Sequence, residues 1–138
     1  MTTLINKLSS LGIKYLTDEP MKNHTSFKTG GNASLFIEPS SEDELIKVLN
    51  ICEENKTDVF VLGKGSNLLV SDEGIRDKAV IHISQGLDEI RLTDETTIVA
   101  GAGASLAALC KFALANELSG LEFAYGIPGS CGGAAFMN

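Results

Sequence analysis

The sequence predicts an α+β fold, and two observations carry that prediction. Residues 34–62 read in turn as strand, helix and strand, and from residue 59 onward the chain is dense in short apolar runs separated by glycine and small polar turns. A third observation describes the interior. Tryptophan is absent, aromatic residues make up 6% and apolar residues 43%, so the core must be built mainly from aliphatic side chains. The 138 residues suffice for one ordinary domain.

Leu4, Ile5, Leu8 and Leu11 stand at helical spacing, and Gly12 ends that first helix. Residues 18–31, DEPMKNHTSFKTGG, hold neither period and form a long irregular segment. Asn23, His24, Thr25, Ser26, Lys28 and Thr29 crowd hydrogen-bonding groups around a Phe27 expected to be buried. The segment is either a solvated connector or the wall of a ligand site. His24 has no Asp or Cys at a fixed local spacing that would define a catalytic dyad. Residues 34–38, SLFIE, read as a strand closed by Pro39. Ser40 or Ser41 caps the next helix; with Ser41, Glu44 lies three residues on, the capping-box spacing. Leu45, Ile46, Val48, Leu49 and Cys52 form its apolar stripe, while Glu42, Asp43 and Glu44 suit the positive end of the helix dipole.

The second strand of this unit, Val59-Phe60-Val61-Leu62, runs into Gly63-Lys64-Gly65-Ser66-Asn67 before the apolar run resumes at Leu68, Leu69 and Val70. Glycines there either let successive N–H groups converge on an anion such as a pyrophosphate or make a hairpin turn. Two familiar phosphate motifs are excluded: Leu68 occupies the position of the third glycine of G-x-G-x-x-G, and Lys64 is followed by Gly65 rather than by Ser or Thr.

Asp72-Glu73-Gly74 turns into a strand at residues 79–83, where His82 alternates with apolar neighbours and is expected to face outward rather than bind a ligand. Residues 88–92 and 96–100 form a hairpin around Thr93-Asp94-Glu95. Next come Gly101-Ala102-Gly103-Ala104-Ser105 and a helix over about 106–116, with Ser105 as N-cap. Gly-Ala-Gly serves either a flat ligand or close packing. Residues 118–138 gather Gly120, Gly126, Gly129, Gly132 and Gly133 with Pro128, so an ordered backbone lining something bulky is expected there. The last residues carry no cap or polar tail, and the chain is expected to stop within a buried segment. No repeat, low-complexity tract or interdomain linker interrupts it.

Net charge is −7 and the basic residues are scattered, which argues against a nucleic-acid groove. Cys52, Cys110 and Cys131 form no C-x-x-C pair, so neither a disulfide framework nor a metal site is expected, and free thiols suit a reducing compartment. No apolar stretch is long enough to span a bilayer, and no signal core opens the chain. A soluble cytoplasmic protein without membrane or nucleic-acid partners is the expectation.

Four segments in order carry a resemblance: NHTSFKTGG at 23–31, LGKGSNLL at 62–69, AGAG at 100–103 and GIPGSCGGA at 126–134. Each is weak alone; together they closely resemble the N-terminal half of the UDP-N-acetylenolpyruvoylglucosamine reductase family, across nearly the whole chain. The resemblance implies a truncated FAD-binding domain of the vanillyl-alcohol-oxidase (PCMH) type. A small βαβ lobe would span about 20–83, a mixed or antiparallel lobe would begin at about 84–138, and the substrate domain would be absent. It also implies cofactor-binding residues. Leu62, Gly63, Lys64, Gly65, Ser66, Asn67 and Leu68 would receive the FAD pyrophosphate. Gly101, Ala102 and Gly103, with Tyr125, Gly126, Ile127, Pro128, Gly129, Ser130, Gly132, Gly133 and Ala134, would lie along the flavin and the rest of the cofactor.

In that family NADPH reduces the flavin, which passes hydride to the enolpyruvyl double bond of a nucleotide sugar, giving UDP-N-acetylmuramate for peptidoglycan. The family's catalytic Arg, Ser and Glu lie beyond Asn138, so no residue here is assigned to catalysis and the chain alone is expected to be inactive. Two departures stand out. Glu117 occupies the place of a helix-ending glycine, with Asn116 expected to take the left-handed conformation, and Cys131 replaces an aliphatic residue, read as a small buried hydrophobe rather than a reactive thiol. Another FAD-dependent oxidoreductase of the same fold, or a noncatalytic fragment, are the alternatives. Against the first, no histidine lies between Gly63 and Val70 to tether a flavin.

Overall fold

The computed structural model describes residues 2–137. Helix α1 (Thr2–Ser10) buries Leu4 and Leu8, and Gly12, at φ +69, turns the chain back beneath it. Strand β1 (Lys14–Pro20) follows, an element that the sequence pattern concealed. It lies at a sheet edge, buries no residue, and therefore lacks the alternation that marks a half-buried strand. Asp18 within it sits at φ 54, held by Asn32 Nδ2 at 3.0 Å and Arg76 Nη1 at 2.8 Å.

A 3-10 turn (Met21–Asn23) pins Met21 in the core and leads to β2 (Asn32–Glu38). Helix α2 (Glu42–Glu54) is capped by Ser41, whose Oγ accepts from Glu44 N at 3.2 Å. Glu44 reaches back one residue further than a standard capping box, accepting from the backbone N–H and the hydroxyl of Ser40. Its buried stripe is narrower than expected: Val48, Ile51 and Cys52 are covered, whereas Ile46 and Leu49 face out.

Strands β3 (Asp58–Leu62) and β4 (Ile75–His82) complete a sheet of order β1-β2-β4-β3. β1 and β2 are antiparallel; β2, β4 and β3 are parallel, with Leu62 opposite His82. Because β3 and β4 run the same way, the hairpin reading of the glycine turn is excluded. Residues 63–74 are a crossover. Central β2 is apolar on both faces because both are covered. Leu35 and Ile37 pack with Ala79, Ile81, Leu4, Leu8 and Val48 on the helical side, while Ala33 and Phe36 pack with Met21, Leu62, Val70 and Val80 on the other.

Strands β5 (Ile90–Leu92) and β6 (Ile98–Ala100) form the expected hairpin. Helix α3 (Leu106–Ala115) starts at Ser105, whose Oγ accepts from Ala108 N at 3.1 Å. At its end Glu117, not Asn116, takes the left-handed conformation, at φ 57. The bonds Leu118 N to Ala113 O and Glu117 N to Leu114 O form a Schellman cap, which places the strained residue one position beyond Asn116. A 3-10 turn (Glu122–Ala124) and helix α4 (Cys131–Met137) follow.

Three further expectations are corrected. Phe27 is 61% exposed, because Met21 and Phe36 already fill the core beneath its loop. The last segment is a helix without buried residues, and Phe136 is 88% exposed. Cys131 is half-buried rather than buried, and burial pushes its thiol pKa up, away from reactivity. Among the described residues no helix is long and apolar enough to cross a membrane, and no group of three or more His, Cys, Asp or Glu is placed to hold a metal.

Candidate cofactor site

The site begins where β3 ends. Ile83 N donates to Leu62 O at 2.8 Å, the last rung between the two parallel strands, and the chain then leaves the sheet through Gly63. From Gly63 to Leu68, no backbone N–H finds a protein acceptor among the described residues. A run of free donors at the carboxyl end of a parallel strand is a ready site for an anionic ligand.

The loop is held by its neighbours on two sides. Gly65 sits at φ +61, its carbonyl accepts from Ser26 N at 3.0 Å, and a Cβ there would be driven into the His24 carbonyl oxygen. The 23–28 segment is thus a wall of the site rather than a free connector. On the other side, Ser66 Oγ donates to Pro128 O at 3.1 Å, tying the loop to the last glycine segment. Gly63 faces Ser130, and a Cβ on Gly63 would lie 2.5 Å from Ser130 Oγ. Ser130, only 2% exposed, also accepts from Gly133 N at 3.2 Å, capping α4.

The Gly-Ala-Gly segment joins this assembly by backbone. Cys131 N donates to Ala104 O at 2.7 Å, Gly132 N to Ala102 O at 2.9 Å and Leu106 N to Gly129 O at 3.2 Å. The missing side chains of Gly101 and Gly103 make room for the carbonyls of Leu87 and Ser84, so these glycines serve close packing. Gly132 lies against Ala102 in the same way. Tyr125, Gly126 and Ile127 are exposed, and a Cβ on Gly126 would meet nothing within 4 Å.

Two hollows share Ser26 and Lys64. One, of about 210 Å³, is bounded by Ser66, Ser105, Ile127, Pro128 and Gly129; the other, of about 450 Å³, by Asn23, His24, Thr25, Lys28, Gly63 and His82. The structure therefore brings together Gly63, Lys64, Ser66, Pro128, Gly129 and Ser130. Leu68 instead packs against the core beneath, and Asn67 is exposed.

His82 is not outward-facing. It closes β4 with its side chain 19% exposed, and its ring lies 5.3 Å from Phe36 and 5.7 Å from His24, which itself stacks on Phe36 at 4.2 Å. Strand alternation pointed to solvent, but the 23–28 segment folds over that face and covers it. A histidine in each of two segments that reach the same strand end was the only available signal. His24 Nε2 meets Glu19 Oε1 at 2.8 Å, and His82 Nδ1 meets Glu38 Oε1 at 3.4 Å.

Burial pushes the His82 pKa below the ordinary 6.5, outweighing the opposing pull of Glu38. The unfolded chain therefore binds the proton first. Stability contributed by neutral His82 is present above pH 6.5 and is lost as pH falls from there through the depressed folded value. Urea denaturation across that interval should show a fall in stability that His82→Gln flattens; an equally steep fall in the variant would refute the assignment.

A family model described as an FAD binding domain matches residues 33–138. The chain is 47% identical over 138 residues to UDP-N-acetylenolpyruvoylglucosamine reductase of Caldanaerobacter subterraneus, covering 98% of this chain and 44% of that protein. It is 44% identical to the protein of that name from Desulforamulus reducens, covering 99% and 45%. The crystal structure of the Thermus caldophilus enzyme superposes with TM-score 0.66 at 33% identity, over 88% of this chain and 40% of that one. The chain thus spans less than half the length of the curated relatives it matches. It belongs to the FAD-binding domain family, whose cofactor is FAD.

Proposed function

We propose that this chain is the FAD-binding portion of a reductase that converts UDP-N-acetylglucosamine enolpyruvate to UDP-N-acetylmuramate with NADPH, in cytoplasmic peptidoglycan synthesis. The observation that carries the reading is the run of free N–H groups from Gly63 to Leu68, in a chain 47% identical to a protein named for that reaction. The residues present fit the cofactor's diphosphate, because free amides and Lys64 offer donors and positive charge at the end of a parallel strand. When bound, FAD supplies the hydride chemistry. Gly63, Lys64, Gly65 and Ser66 would hold the diphosphate, with Ser130 and Pro128 positioning that loop from behind. Residues 101–103 and 125–134 would shape the wall along the rest of the cofactor. We assign no proton-transfer residue within this chain, and the lobes at about 20–83 and 84–138 belong to the same reading.

Purified alone, the chain should hold FAD weakly or not at all, because Tyr125, Ile127 and Phe136 are exposed and the grooves are open. It should show no NADPH oxidation dependent on the enolpyruvyl nucleotide sugar. A stoichiometric yellow protein, or turnover, would overturn that expectation. Exchanging the chain for the corresponding segment of the Caldanaerobacter relative should restore both flavin absorbance and turnover. A well-folded chimera without flavin would sink the proposed function itself.

A further inference from the structure

His24 and His82 line the same groove as Gly63 and Lys64, at the point where the free amides begin. We propose that His82, in the wall it shares with His24, makes the diphosphate site proton-responsive, so that binding the cofactor's dianionic diphosphate takes up a proton at His82. The proposal rests on reading this groove as the FAD diphosphate site, and it adds a coupling that the reading does not contain.

The geometry leaves the proton a place to act. Glu38, on β2, engages His82 Nδ1, and the other ring nitrogen, Nε2, has no protein partner among the described residues. Protonation would make it an N–H donor carrying positive charge beside the groove. Each charged neighbour has a definite sign. Glu38 favours the protonated ring but is shared with Lys14 of β1, whose Nζ lies 2.6 Å from Glu38 Oε2. His24, 5.7 Å away, disfavours the protonated ring of His82, and Glu19 stands behind His24 at 2.8 Å. Lys14 also opposes protonation of the ring directly, while Lys28 and Lys64 stand on the loops that bound the groove. A dianion placed against the free amides shifts this balance toward the protonated ring, because it attracts the imidazolium. Burial keeps His82 neutral in the free protein at neutral pH, so the ligand has a proton to recruit.

By linkage, a ligand that raises a group's proton affinity binds more tightly in acid. FAD is a suitable probe because its diphosphate is a diester and keeps its charge over the range in which histidine titrates. In the chimera, FAD affinity should rise as pH falls from about 8 through the depressed His82 value, reaching about tenfold once pH lies below it, the coupling equivalent to about one pK unit at His82. Following the His82 Cε1–H resonance by NMR should show its titration midpoint move upward on FAD saturation, by about the same one unit. His82→Gln should remove the slope of affinity against pH. A midpoint that does not move, or a slope that persists in a folded His82→Gln protein, overturns the proposal while leaving the FAD site intact. If FAD binds without perturbing the amide resonances of Gly63 to Leu68, the reading of the groove fails first and the proposal falls with it.

Discussion

Gly65→Val is expected to destabilise the chain by about 3 kcal/mol or more, and to abolish flavin capture in the chimera. Three costs combine. A left-handed backbone costs an L-residue about 1–2 kcal/mol, and a β-branched residue more. The added Cβ meets the His24 carbonyl oxygen and Thr25 Cα, which are backbone atoms with little room to give. Any displacement also breaks the Ser26 N to Gly65 O bond, worth about 1 kcal/mol. This geometry revises the reason for the glycine: Gly65 admits the neighbouring segment first, and orders the free amides for a ligand as a consequence. The revision has its own test, because the Cβ alone causes the clash. Gly65→Ala should already lose most of the stability that Gly65→Val loses. Gly126→Ala, in open space, should stay within about 0.5 kcal/mol of the parent. Urea midpoints for the three variants decide it, and an innocuous Gly65→Ala would mean that the loop does not lie against His24.

Local chemistry made much of this fold legible. The Ser41 and Ser105 caps, the Gly12 terminus and the β5–β6 hairpin are set by residues within a few positions of one another. What the sequence concealed depends on distant partners. β1 exists because β2 offers it an edge, not because its own side chains alternate. His82 looked solvent-facing until residues 23–28 folded over it, and Phe27 looked buried until Met21 and Phe36 had taken the space. The site shows the same division. Its glycines announced tight backbone, but the hairpin and cradle readings separated only when β3 and β4 proved parallel. The glycines at 101 and 103 turned out to face the carbonyls of Leu87 and Ser84, contacts that no local pattern encodes.

Phe36 links the fold to that site, and Phe36→Ala should cost about 3–5 kcal/mol, a large share of the roughly 5–15 kcal/mol that holds a domain of this size. The ring is fully buried at the centre of β2, packed with Met21, Leu62 and Val80, and no neighbour can collapse into its volume without moving a strand. It is also the surface on which His24 stacks and against which His82 tilts. Removing it should therefore loosen the groove as well as the core. Phe36→Leu separates the two effects. It keeps most of the apolar volume and should cost less than about 1.5 kcal/mol, yet it takes away the flat face beneath both imidazoles. With less burial, the His82 titration midpoint should move back up toward 6.5, and the acid-side loss of stability should shrink in step. Thermal melts and a histidine NMR titration on one sample of Phe36→Leu read both quantities. A lowered melting temperature with an unmoved midpoint would show that the ring supports the core alone, and that burial of His82 comes from the loop above it.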